Sequence, residues 1–246
     1  MTLKKMLLVG VLWQCAALSA SAHAAHVPPA TSSATILMFS EQEQGNTVHP
    51  VRMVLTHRYL RIDDGSNKNG FVLLDRKRRT VYNVSRMDKT ILVIKPRRIS
   101  LQRPAHFGES VVTDRQAFPS IAGRKVVHYT LRVGKQRCFD VYAAAGLLPD
   151  AVAALRDYYE IPAGEQAASE EKTPPSMRSA CDLANYIFLP AHFLDFGFPV
   201  RQVDGNGTLR QLVDFKTGVS VDAELFELPA NYRRYSIEDM ADGLMH

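Results

Sequence analysis

The chain has 246 residues, 46% of them hydrophobic, and a formal net charge of +5. The length suits one sizeable core and at most two small domains, and so mild a charge favours solubility without indicating a nucleic-acid partner. The three cysteines form no Cys-x-x-Cys and have no second Cys or His at ligand spacing, which argues against a zinc site or a dithiol redox motif.

The first 24 residues read as a cleaved export signal. Lys4 and Lys5 precede an apolar run from Met6 to Leu18, and Ala20-Ser21-Ala22 and Ala22-His23-Ala24 offer small-residue cleavage sites. The run is shorter than the ~20 residues of a spanning helix. Cys15 follows Trp13 and Gln14 where a lipidation site wants a small residue, so cleavage rather than lipidation is expected. The expected location is the periplasm of a Gram-negative bacterium. Loss of Lys4 and Lys5 would leave a net charge of about +3. Residues 25–33 read as a flexible lead, and 34–246 as a single domain. Cys138 and Cys181 remain, an even pair in an oxidising compartment, and are expected to form one disulfide. Closing a loop of that length contributes about 4 kcal/mol on the chain-entropy account.

In chain order, strands are expected at Ala34–Ser40, Val48–Thr56, Tyr59–Asp63, Phe71–Asp75, Arg79–Ser85 and Thr90–Ile94, an antiparallel meander with polar tips. Phe71-Val72-Leu73-Leu74 and Ile91-Leu92-Val93-Ile94 are apolar on both faces, so a helix or an apolar ligand should cover the second face. Residues 97–123 are less regular. Lys125–Val133 and Gln136–Ala144 form a hairpin across Val133-Gly134-Lys135. Pro149–Tyr159 is a helix with Pro near its start, stopping before Pro162. Ala163–Ser176 reads as a flexible loop, a candidate flap. A second helix is expected over Met177–Phe188, with room to extend past Pro190. Strands Pro199–Val203 and Leu209–Phe215 then flank a turn at Asp204-Gly205-Asn206-Gly207. After Ala223–Leu228, Ser236 is placed to cap a last turn through Met240.

Catalytic signatures are absent: no Gly-x-Ser-x-Gly, no His-Glu-x-x-His and no phosphate-binding glycine loop. His49 and His57 would lie about 26 Å apart along a strand, too far to share a metal. His128 alternates with polar neighbours and should face solvent, and His106 and His192 have no companion ligand. Asp63-Asp64 reads as a turn former rather than a carboxylate pair. Hence no enzyme activity, metal or cofactor is expected. Arg76, Lys77, Arg78 and Arg79 fall at a hairpin tip, where they either solvate the loop or contact anionic lipid headgroups or an acidic partner. Phe71, Leu73, Ile91, Val93, Tyr129, Leu131, Phe188 and Phe215 serve either as plain core or as the lining of an apolar cavity. Sequence does not separate the two.

Three fragments carry a resemblance. They are Phe71-Val72-Leu73-Leu74-Asp75 leading to Arg79-Thr80-Val81-Tyr82-Asn83-Val84, then Gly197-Phe198-Pro199-Val200-Arg201, and last Leu225-Phe226-Glu227-Leu228-Pro229-Ala230-Asn231-Tyr232. In these the chain resembles the LolA/LolB-like lipoprotein-carrier superfamily, within a branch of small periplasmic proteins of unknown function. The resemblance implies an α+β fold, a curved antiparallel sheet or incomplete barrel with helices over its concave face. It also implies binding of a lipid, an acylated protein or another apolar ligand between sheet and helices. The Cys138–Cys181 bracket, enclosing a helix, departs from a dedicated carrier. The other reading is an envelope protein-interaction module with a filled core and a basic surface, with peripheral membrane contact open to either.

Overall fold

The computed structural model describes residues 31–241, except 67, 106 and 115. The expected signal and His106 therefore lie outside the described residues.

The fold is α+β, built on one open sheet of 12 strands. Strands β1 (Thr31–Gln42), β2 (His49–Leu55), β3 (Tyr59–Asp63), β4 (Phe71–Asp75), β5 (Thr80–Ser85) and β6 (Thr90–Ile94) form the expected antiparallel meander. A second antiparallel set, β7 (Glu109–Thr113), β8 (Val126–Val133), β9 (Gln136–Ala144), β10 (Phe198–Asp204) and β11 (Leu209–Asp222), joins it through the β11–β1 pair. The last strand, β12 (Arg233–Tyr235), lies parallel to β6 and closes that edge. Sequence reading missed β7 and β12. Val111 and Val112 of β7 are exposed, so the strand lacks a buried side to give it a period.

A bent 22-residue helical stretch crosses one face of the sheet as α1 (Pro149–Glu160) and α2 (Ala163–Glu170). Pro149 opens α1 as expected. Pro162 bends the path without ending it, and the expected loop is largely helical. Glu, Gln and Ala are strong helix formers, and α2 is held by tertiary packing. Ala163, Gly164 and Ala167 are buried, and a Cβ on Gly164 would sit 2.1 Å from the Arg97 carbonyl oxygen. The expected helix at Met177–Phe188 is broken into a 3-10 turn (Pro175–Met177), α3 (Ala180–Asp182) and a π-helical stretch (Leu183–Phe188). Ser236 caps α4 (Ile237–Ala241), with Asp239 bonding back to the Ser236 N–H at 2.7 Å.

The two faces of the sheet have different covers. On the helix face, Leu37, Met53, Leu74, Val141 and Phe198 pack with Ala154, Leu155, Ile161 and Phe193. On the other face, Val54, Phe71, Leu73, Val84 and Ile91 pack under Phe226, with Leu225, Leu228 and Tyr232 beside it. The two-faced strands therefore do have a second cover, and it is the chain's own C-terminal segment. Polar contacts fix it in place. Arg61 is buried, lies 3.8 Å from the centre of the Phe71 ring, and donates to Asp63 at 2.7 Å and to the Leu225 carbonyl at 2.7 Å. Arg52 makes a two-pronged contact to the same carboxylate, at 2.8 and 2.9 Å. Burial opposes the charge on Asp63, but the two guanidiniums and the Gly65 N–H hold its pKa below the ordinary value. Burial pulls Arg61 downward; we take the pair as charged, because hydrogen-bonded guanidiniums face Asp63 from two sides.

Candidate binding sites

The disulfide Cys138–Cys181 is present, linking β9 to α3. It fits an oxidising compartment, and no helix among the described residues is long and apolar enough to cross a membrane. Among the described residues, no group of three or more His, Cys, Asp or Glu side chains could hold a metal ion.

The expected cavity residues do not converge on one space. Phe71, Leu73, Ile91 and Val93 lie under the C-terminal segment. Leu131, Tyr129 and Phe215 belong to the helix face, where Tyr129 stacks on Phe196 with ring centres 4.2 Å apart. Phe188 packs against Phe107 in a small satellite cluster near the disulfide. Between sheet and helix, the space bounded by Phe39, Met53, Leu155, Tyr159 and Phe193 measures about 10 Å³.

The basic tip is partly spent on structure. Arg76 and Arg79 pair with Asp157 of α1 at 3.4 and 3.2 Å, and Arg78 and Arg58 lie 3.9 and 3.1 Å from Asp75. The β4–β5 turn thereby docks against the helix. His57, Arg58, Arg76, Lys77 and Asp157 line a cleft of about 400 Å³ beside it. Lys77 has no ion-pair partner among the described residues.

His128 departs from its expected exposure. Its side chain is 18% exposed and stacks on Tyr142 with ring centres 4.3 Å apart, and Phe118 packs edge-on against both rings. Its Nε2 lies 3.0 Å from Asp140 Oδ1, which also accepts from Thr130 Oγ1 at 2.7 Å. Apolar neighbours from a separate segment bury a face that reads as polar in sequence.

A second cleft, of about 260 Å³, opens where β1, β10 and β11 meet α1 and the π-helical stretch. Sequence reading did not find it. Glu41 and Arg210 form an ion pair at 2.5 Å, and Arg210 donates to the Tyr159 hydroxyl at 3.0 Å. Burial works against the Arg210 charge, but Tyr159 and Glu41 hold its pKa above the ordinary value. Behind them, burial first and the neighbouring Tyr159 second push the Tyr158 hydroxyl up to about 12. Asn185 Nδ2 donates to the Cys138 carbonyl at 3.0 Å, which leaves Oδ1 buried and without a hydrogen-bond partner among the described residues. His192 is equally buried. Its Nδ1 lies against Glu109 Oε1, an ion pair by proximity that does not have hydrogen-bond geometry, and its Nε2 has no partner there either.

No family model matches the sequence, and no curated protein matches it. The LolA/LolB resemblance thus rests on its short fragments alone. By structure the chain is similar to an uncharacterised conserved protein from Thermus thermophilus, with a TM-score of 0.42 and 11% identity over 83% of this chain and 91% of that one. It is also similar to PNGF-II in two crystal forms, with TM-scores of 0.43 and 0.44 and identities of 12% and 10%, over 86% of this chain in each. Those matches span about a third of PNGF-II, 32% and 33%. At this level the likenesses assign neither a family nor an activity.

Proposed function

We propose that the protein is a non-enzymatic periplasmic interaction module with a packed core, which meets an acidic segment of an envelope protein at the basic cleft beside Lys77. The observation that carries this reading is the filled interface between sheet and helices. The space bounded by Phe39, Met53, Leu155, Tyr159 and Phe193 is about 10 Å³ and the cleft at its edge about 260 Å³, both below the ~300–1,000 Å³ of small-molecule pockets, and an acyl-chain carrier needs a larger space there. The basic cleft supplies the complementary surface. Arg58 pairs with Asp75 and Arg76 with Asp157, so Lys77 supplies the surplus positive charge, and the concave shape of the cleft suits a carboxylate-bearing loop better than a flat headgroup plane.

The test is fluorescence anisotropy of a labelled oligo-glutamate peptide with the mature protein at low salt. Saturable binding is expected, weakened about fivefold in Lys77→Glu, the size of a partly exposed ion pair. Binding with no dependence on Lys77 would reject the cleft. Anionic phospholipid vesicles binding in place of the peptide, with that dependence, would make the partner a membrane. An adduct of acyl-chain mass in native mass spectrometry of gently purified protein would reject the packed core.

A further inference from the structure

The second cleft is acidic on a basic chain. Its lining holds three carboxylates, Glu41, Glu43 and Asp204, against one guanidinium, Arg210, while the whole chain carries +5. Arg210 neutralises Glu41. Glu43 lies at the exposed rim, accepts from the neutral Asn46 amide at 2.8 Å, and has no ion pair among the described residues. One oxygen of Asp204 is fixed by the N–H groups of Asn206 and Thr208, both at 2.9 Å, which orients the carboxylate without cancelling its charge. The field is felt locally: burial first, and then the Asp204 carboxylate, raise the pKa of Tyr186.

The walls add an apolar component. Phe139 and Phe193 stack with ring centres 4.7 Å apart, Tyr159 meets Phe193 edge-on, and Tyr186 stands exposed at the mouth. Asn185 also lines the cleft and is 8% exposed; its Oδ1 is sealed from solvent and has no hydrogen-bond partner among the described residues. A buried polar atom left unmatched costs about 1–3 kcal/mol. Asn185 also lies in the π-helical stretch, whose Leu189 N–H reaches the Ala184 carbonyl at 2.9 Å. Such π insertions concentrate at functional sites, because the added residue turns a side chain out of the helical register. The cleft therefore offers surplus negative charge and aromatic faces, in a volume that admits only a small group.

We propose that this cleft binds an ammonium or guanidinium group carried on an apolar stem. The charged head meets Glu43 and Asp204, and the stem lies along the aromatic walls, where cation–π contact adds to the attraction. Two sources present this chemistry: a free aliphatic amine, and a Lys or Arg side chain of a peptide. The site is distinct from the basic cleft, and its occupant is opposite in charge to the acidic segment assigned there.

Isothermal titration calorimetry of the mature protein separates the cases. The probes are cadaverine, an end-blocked Gly-Lys-Gly peptide and the neutral 1,5-pentanediol, each to about 10 mM, a range that detects affinities down to the millimolar level. At least one amine is expected to bind, the diol not, and Glu43→Gln should weaken the amine about fivefold. Tyr186→Ser, a change at an exposed position, should weaken it as well while leaving the thermal melt unchanged. Preference for the peptide names a protein side chain as the occupant, and preference for cadaverine a free amine. Absence of binding by both amines, equal binding of the diol, or an amine affinity indifferent to both substitutions would overturn the proposal.

Discussion

The two faces of the sheet are held down in different ways. The helix face is broad and aromatic, and its cover is held by apolar packing with ion pairs and hydrogen bonds at its edges, such as those to Asp157 and Tyr159. The opposite face is smaller, and its cover, the segment around Phe226, is held by stacking on Tyr59 at 5.3 Å together with the directed bonds of Arg61. A helix with an apolar stripe can slide over an apolar sheet at low cost. A strap with little secondary structure of its own cannot rely on shape. The buried guanidinium fixes where it lies, since misplacing the strap would leave a buried charge short of its acceptors.

That contrast can be broken face by face. Phe198 is fully buried on the helix side, and Phe198→Ala should cost about 3–5 kcal/mol in urea denaturation and unfold the sheet as a unit. Phe226→Ala, by contrast, should open its face locally. Hydrogen exchange should lose protection first in β12 and β6, and simultaneous loss across all strands would show that the two faces are not separate units. Asp63→Asn should cost about 3 kcal/mol or more, because it strands Arg61 in the interior.

Acid sharpens this last point. Asp63 has a lowered pKa in the fold, so its contribution is complete above the ordinary carboxylate value of about 3.9 and is lost as pH falls through the lower folded value. The melting temperature should fall below about pH 4 more steeply for the native protein than for Asp63→Asn. Parallel curves would mean that other carboxylates govern acid unfolding. The smallest effect belongs to the hairpin tip. Asp157→Ala removes the partner of Arg76 and Arg79, both partly exposed, and should cost about 1 kcal/mol or less by thermal melt.

The legibility of these regions in sequence follows their range. Strands β3, β4, β6 and β9 fall at their expected bounds, since alternation and turn residues are local signals. β12 has three residues and exists only because β6 is there to pair with. α2 was misread because Pro162 and the acidic, alanine-rich composition look like a loop until Gly164 meets the Arg97 backbone. The basic tip was visible as four consecutive cations, but its acidic partner Asp157 lies on α1, far along the chain. The acidic cleft was not visible at all: Glu41, Asn185, His192 and Arg210 come from four separate segments.

The first described strand also sits at the centre of the sheet, with β2 on one side and β11 on the other. Thr31 faces Asp222, so its partner emerges long after it during synthesis. An emerging chain can assemble the meander from β2 to β6 early, but the seam that unites the two halves must wait for the C-terminal strands. The two halves are therefore joined across a single late junction of high sequence separation, the arrangement that makes folding slow. A chain cut short before Leu209 would keep most of both half-sheets and lose the seam between them.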